Sequence, residues 1–186
     1  VKIIHLLTMS SGSDWDESYS NPLSTTTELY YGSDVYKTAT GVKIIKEPGT
    51  YHDYKSGDSQ LLGLIVEKAT GKSLSEYASE KLWQPIGAGH PAKWSTDKEK
   101  GHIKSYCCFN SNARDFARIG QLMLDSGQWK GTEIITKDYF LQSITPCGIN
   151  DENAKACSYY GYQWWLVPYH PGVFYARGIL GQYIIV

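Results

Sequence analysis

The run from Pro48 to Gly71 constrains this chain more than any other stretch. Pro48-Gly49 is a turn signal, and the Tyr-rich segment Thr50-Tyr51-His52-Asp53-Tyr54 after it has the composition of a short extended piece. Ser56-Gly57-Asp58-Ser59 then offers N-cap residues to the apolar run Leu61-Leu62-Gly63-Leu64-Ile65-Val66, which predicts a helix closing at Gly71. A phenol, an ammonium and a hydroxyl (Tyr54, Lys55, Ser56) therefore stand just ahead of a helix N-terminus. Helix N-termini expose unpaired N–H groups and favour negative charge, so a reacting group is well placed there. The same arrangement is also an ordinary way to begin a helix.

The flanking sequence predicts helices first and strands last. Residues 2–9 read as a helix ending at Ser10-Ser11-Gly12, and Thr27 to Tyr36 as a Tyr-laden helical pattern running up to Gly41. Ser73-Leu74-Ser75-Glu76 is a capping box that opens a helix reaching Trp83, stopped by Pro85-Ile86-Gly87. Residues 88–110 read as irregular. Ser111-Asn112 caps a helix whose apolar face is Phe116, Ile119 and residues 122–124, and Thr136 to Ile144 gives one more. From residue 159 onward the chain turns β-rich, in runs separated by Pro168, Pro171-Gly172 and Gly178. The order predicts an α+β class, with the helical region at about 1–158 and returning antiparallel strands at about 159–186. The chain opens inside a helix and stops inside an apolar strand, so an incomplete sheet and a partial domain are expected.

A balanced charge, 18 basic against 19 acidic residues with no like-charge block, argues against nucleic acid or an acidic membrane surface as partner. No apolar run approaches the roughly 18 residues of a membrane span. The four cysteines form no Cys-x-x-Cys pair and the histidines are scattered, which argues against zinc. Four separate thiols are expected, although Cys147 and Cys157 flank a polar loop and could be bridged in an oxidising compartment.

Tyr54-Lys55-Ser56 followed by Leu61-Leu62-Gly63, Glu67 and Thr70-Gly71-Lys72-Ser73 resembles the second active-site box of the serine β-lactamase/penicillin-binding-protein superfamily. The "YKSGDSQ" form is similar to the 6-aminohexanoate-dimer hydrolase and esterase branch, and more distantly to class C β-lactamases. The segments "LLTMSSG", "ARDFARIGQLML" and Ala176-Arg177-Gly178-Ile179-Leu180-Gly181-Gln182 resemble further family segments in family order. The resemblance implies the β-lactamase/transpeptidase-like fold. It also implies hydrolysis of a small ester, amide or peptide-like substrate through an acyl-serine, with no metal or cofactor. The compartment and oligomeric state stay open; the resemblance leans to the cell envelope or secretion.

Carried over residue by residue, Tyr54 matches the catalytic Tyr, which shuttles a proton between nucleophile and leaving group. Ser56 matches the third position of the triplet and would contact the substrate amide or orient the family's Lys; a plain helix cap is an equal reading. Gly178 matches the glycine of the third box, and the N–H of Ile179 would be an oxyanion donor. Ala176 stands where penicillin-recognising members carry Lys, which favours an esterase or amide hydrolase over a true β-lactamase. Trp165 would roof the cleft, with core packing nearly as good a reading.

The family's nucleophile is the Ser of a Ser-x-x-Lys expected about 50–70 residues before Tyr54. The one Ser-x-x-Lys present, Ser95-Thr96-Asp97-Lys98, lies after the Tyr box in a polar stretch and reads as a chance match. A catalytically inactive homologue or fragment that binds acyl or peptide-like ligands is the competing reading. Thr70-Gly71-Lys72-Ser73 lacks the upstream Gly of a P-loop, where Val66 stands, and His52-Asp53 lacks a Gly-x-Ser-x-Gly elbow.

Overall fold

A computed structural model describes all 186 residues, Val1–Val186. Helices α1 (Ile3–Leu7), α2 (Thr25–Tyr31), α3 (Val35–Thr40), α4 (Ser56–Thr70) and α5 (Leu74–Ala78) come first, and α5 continues into a π-helical turn over Ser79–Trp83. Strands β1 (Lys93–Trp94) and β2 (Phe109–Asn110), helix α6 (Ala113–Leu124), strands β3 (Gln128–Trp129) and β4 (Thr132–Glu133) and helix α7 (Lys137–Ser143) follow. The chain closes with β5 (Trp165–Leu166), β6 (Phe174–Arg177) and β7 (Tyr183–Ile185), one antiparallel sheet in that order. No helix is long and apolar enough to cross a membrane.

Helix α4 ends where the sequence predicts, because Gly71 takes the left-handed conformation (φ 68°) that side-chain-bearing residues avoid. Its start differs from expectation. Ser56-Gly57-Asp58-Ser59 is the first turn itself and not the cap, and Lys55 at the N-cap gives no side-chain bond. The missing acceptor comes from Glu17, whose carboxylate takes the Ser56 N–H at 2.7 Å. Gly57 lets the helix press against Trp15: a Cβ there would lie 2.4 Å from the indole. Buried Gln60 ties the helix to the segment before β2, with Nε2 donating to Ile103 O (2.9 Å) and Oε1 accepting from Ser105 N (3.0 Å).

The closing sheet has two faces, set by strand alternation. Leu166 pairs with Phe174, and both join Met123 of α6 and Phe140 of α7 in one core cluster. Trp165 pairs with Tyr175 on the opposite face, which also carries Arg177 and Tyr183. That second face meets the segment ahead of α4.

Several expectations need correction. The single helical pattern over Thr27–Tyr36 is two helices, because Gly32-Ser33-Asp34 intervenes and Asp34 caps α3 through the Lys37 N–H. Leu124 does not share the buried face of α6; it is 64% exposed, while Leu122 and Met123 are buried. Residues 88–110 hold the β1–β2 ladder, with Trp94 opposite Phe109. Cys107 and Cys108 are joined in a disulfide, so the chain carries two free thiols, Cys147 and Cys157, and not four.

Candidate active site

The extended segment before α4 is held from both sides. The Asp53 N–H donates to Met9 O and the His52 N–H to Asn150 O, both at 2.8 Å. Asp53 and Lys55 lie on one side of this strand-like piece and form an ion pair at 2.7 Å, with the Lys55 ammonium buried. Alternation sends Tyr54 to the other side. There its ring stacks on Trp165 (centroids 5.6 Å apart, planes 26°) and meets Tyr160 edge-on at 6.2 Å. Trp165 in turn stacks on Tyr159 and Tyr175. Offset aromatic pairs of this kind add directional energy to plain burial and fix ring orientation.

The phenol of Tyr54 is pushed above the ordinary tyrosine range, first by burial and next by the Glu17 carboxylate, while the Arg177 guanidinium pulls the other way. Glu17 is the residue that sequence reasoning missed. Besides the Ser56 N–H it accepts the Ser56 hydroxyl (2.6 Å), the Tyr19 hydroxyl (2.6 Å), Trp15 Nε1 (2.8 Å) and the Thr26 hydroxyl (3.2 Å). A carboxylate at a helix N-terminus is well placed electrostatically. It leaves the Ser56 hydroxyl with its proton committed and its lone pairs free.

The hairpin after β6 carries the other two candidates. The Gly178 N–H is used inside the hairpin, donating to Gln182 O at 2.8 Å, and a Cβ on Gly178 would fall 2.8 Å from Gln182 Oε1. The N–H of Ile179 has no partner within the chain, and the Ile179 side chain is 65% exposed. The structure thus brings Tyr54, Ser56 and Trp165 into one neighbourhood. The charge of Arg177, next in sequence to Gly178, bears on Tyr54. Ser95 and Lys98 are both exposed, Ser95 just after β1 with its N–H donating to Cys108 O and Lys98 in the bend that follows.

Two clefts open on the surface, and neither is lined by Tyr54. One, about 240 Å³, is walled by Val1, Ile3, Val42, Ile44 and Ile65; the other, about 330 Å³, by His5, Thr8, Cys147 and Tyr162 among others. Behind Tyr160, the ligand atoms of His52, Cys147 and Cys157 all lie within 4.8 Å of one another. Residues that look scattered in sequence are therefore gathered by the fold. The Cys147 thiol lies 4.0 Å from the Cys157 carbonyl oxygen, and the contact between the two thiols holds Cys147 below the usual range and pushes Cys157 up.

Comparison with known proteins agrees with this architecture. A family model described as Beta-lactamase matches residues 1–186. The chain is 27% identical to 6-aminohexanoate-dimer hydrolase of Paenarthrobacter ureafaciens over 198 aligned positions, covering 97% of this chain and 50% of the relative. It is 38% identical to N-acetylmuramyl-L-alanine amidase of Bacillus subtilis over 64 positions, covering 33% of this chain and 14% of that protein. Among solved structures, a Bacillus anthracis protein described as a putative 6-aminohexanoate-dimer hydrolase superposes with a TM-score of 0.84 at 27% identity, covering 98% of this chain and 51% of the other. A penicillin binding protein from Bacillus halodurans shares the fold with a TM-score of 0.59 at 19% identity, over 96% of this chain and 59% of the other. The chain spans half the length of the first of these relatives, and less of the second. On the full-length match of the family model and the shared β-lactamase/transpeptidase-like fold, the chain belongs to the Beta-lactamase family.

Proposed function

We propose that the polypeptide carrying this chain hydrolyses an ester or amide bond by acyl transfer to a serine, with Tyr54 as its proton relay. The observation that carries the reading is the setting of Tyr54. Its ring is clamped by Trp165 and Tyr160, and its hydroxyl feels the opposing charges of Glu17 and Arg177. A phenol pushed upward stays protonated at neutral pH, so it needs a nearby cation before it can pass its proton on and take one back. The Lys of a Ser-x-x-Lys would be that cation, and its Ser the nucleophile.

The remaining parts have matching chemistry. An unpartnered N–H at Ile179, beside a glycine that lets Gln182 approach closely, is what an oxyanion donor requires. Ser56, its proton given to Glu17, offers lone pairs to the N–H of a substrate amide or to an ammonium. Trp165 and Tyr175 form an aromatic wall suited to an apolar part of a substrate, with Arg177 on the same face of the sheet. The relatives named for dimer-hydrolase and amidase activity support an amide or peptide-like substrate over a β-lactam.

The test is turnover of small p-nitrophenyl esters and anilides by the full-length polypeptide. Tyr54→Phe keeps the ring stack and removes the hydroxyl, so kcat should fall about 10²- to 10⁴-fold. Unchanged turnover in Tyr54→Phe would refute the relay.

A further inference from the structure

We propose that His52, Cys147 and Cys157 form a binding site for a thiophilic divalent cation, with Zn²⁺ as the ion whose ligand preference fits. The three ligand atoms converge within 4.8 Å, from the segment ahead of α4 and from both sides of the 147–157 loop. Two sulfurs and one imidazole nitrogen are a known zinc donor set, and three protein ligands leave a fourth corner for water.

The surroundings are those of ligands already oriented. His52 is buried, and its Nδ1 lies 2.9 Å from the Thr8 carbonyl, an acceptor only, so Nδ1 carries the proton. That leaves Nε2 as the ring nitrogen with a lone pair for an ion, and an imidazole anchored to a backbone carbonyl through its other nitrogen is the usual outer arrangement of a metal-binding His.

The framework around the site is stiff. Cys147 N–H donates to Tyr160 O, Gly148 N–H to Cys157 O and Cys157 N–H to Ile149 O, which locks the two sulfur-bearing segments side by side. Cys157 is fully buried, whereas Cys147 lines the cleft shared with His5, Thr8 and Tyr162, which gives an ion and its water a way in. Binding exchanges the thiol protons for the cation, and two thiolates, a neutral imidazole and water leave no net charge to bury. The ion would tie His52, two residues before Tyr54, to the loop that carries Tyr159 and Tyr160. Its role is to hold the aromatic clamp; it takes no part in the chemistry.

The test uses the full-length polypeptide, reduced, stripped with chelator and titrated with Co²⁺ as a spectroscopic stand-in for Zn²⁺. A Cys107→Ser/Cys108→Ser background removes the other two sulfurs. One Co²⁺ per chain is expected, with tetrahedral visible bands and thiolate-to-cobalt charge transfer, both bleached by one equivalent of Zn²⁺. His52→Gln and Cys147→Ser should each weaken binding by more than the roughly 10- to 100-fold that loss of an outer hydrogen-bond partner costs. Folded background protein that binds no Co²⁺, or binds it without charge transfer, overturns the site. So does metal-free protein isolated with Cys147 and Cys157 bridged. These readouts do not depend on turnover, so they fail independently of the proposed hydrolysis.

Discussion

Glu17 grips Ser56 twice, taking its backbone N–H at 2.7 Å and its hydroxyl at 2.6 Å across a separation of 39 residues. This one carboxylate acts as a local N-cap does in most helices, and it fixes where α4 begins relative to the segment between α1 and α2. Glu17→Ala should therefore cost about 2 kcal/mol, combining a lost cap with a stranded N–H. Urea denaturation would show the midpoint falling with the slope unchanged. Glu17→Gln, which keeps one acceptor, should recover part of the loss; equal stability of wild type and Glu17→Ala would contradict the capping role.

Gly57→Ala attacks the same junction from the helix side. Alanine is the better helix former, so an isolated helix would gain. Here the added methyl would meet the Trp15 ring at 2.4 Å, and that indole is buried and bonded to both Glu17 and Thr26. A net loss of about 1–3 kcal/mol is expected from overpacking. Thermal denaturation followed by tryptophan fluorescence would read both the stability and the displaced indole.

Gln60 is fully buried and bonds two backbone groups at once, Ile103 O and Ser105 N. Gln60→Leu keeps the volume but strands a carbonyl and an amide. A destabilisation of about 2–6 kcal/mol follows, from about 1–3 kcal/mol per orphaned group. Hydrogen exchange should show the Ser105 amide losing protection before the core of α4 does.

Asp58 gives the fold a pH dependence of defined sign. Burial pushes its carboxyl up to about 6, against lowering by hydrogen bonds from Ser11 and by the Lys55 charge. One carboxylate oxygen, Oδ2, has no partner. Between its unfolded value near 4 and its folded value near 6, the native state holds the proton more tightly than the unfolded chain. Stability contributed by this group is therefore greatest below pH 4 and falls as pH rises to 6, by roughly 3 kcal/mol at most. Asp58→Asn should remove that slope and stabilise the protein at pH 7. A stability curve with the same slope in both proteins between pH 4 and 6 would contradict it.

Much of the helical frame was legible because its signals are local. The capping box Ser73–Glu76, the Asn112 and Thr136 caps and the left-handed Gly71 each act within four residues. The pairing of Tyr54 with Trp165 was half legible: the resemblance pointed to Trp165 as the roof of the cleft, but core packing was nearly as good a reading until the sheet register placed its ring on the face that meets Tyr54. Trp165 pairs with Tyr175 and reaches Tyr54, while Trp164 packs against Phe174 in the other layer. Glu17 and the His52–Cys147–Cys157 cluster were not legible. Each depends on contacts between segments far apart in the chain, for which no spacing rule exists.

The most direct test of the account is intact mass of the full-length polypeptide before and after a fluorophosphonate probe, with the adduct mapped and the rate compared in Tyr54→Phe. The account predicts a single adduct on the serine of a Ser-x-x-Lys other than Ser95, formed about 10²-fold or more slowly in Tyr54→Phe. No adduct, an adduct on Ser95, or an equal rate in the variant would contradict acyl transfer relayed by Tyr54.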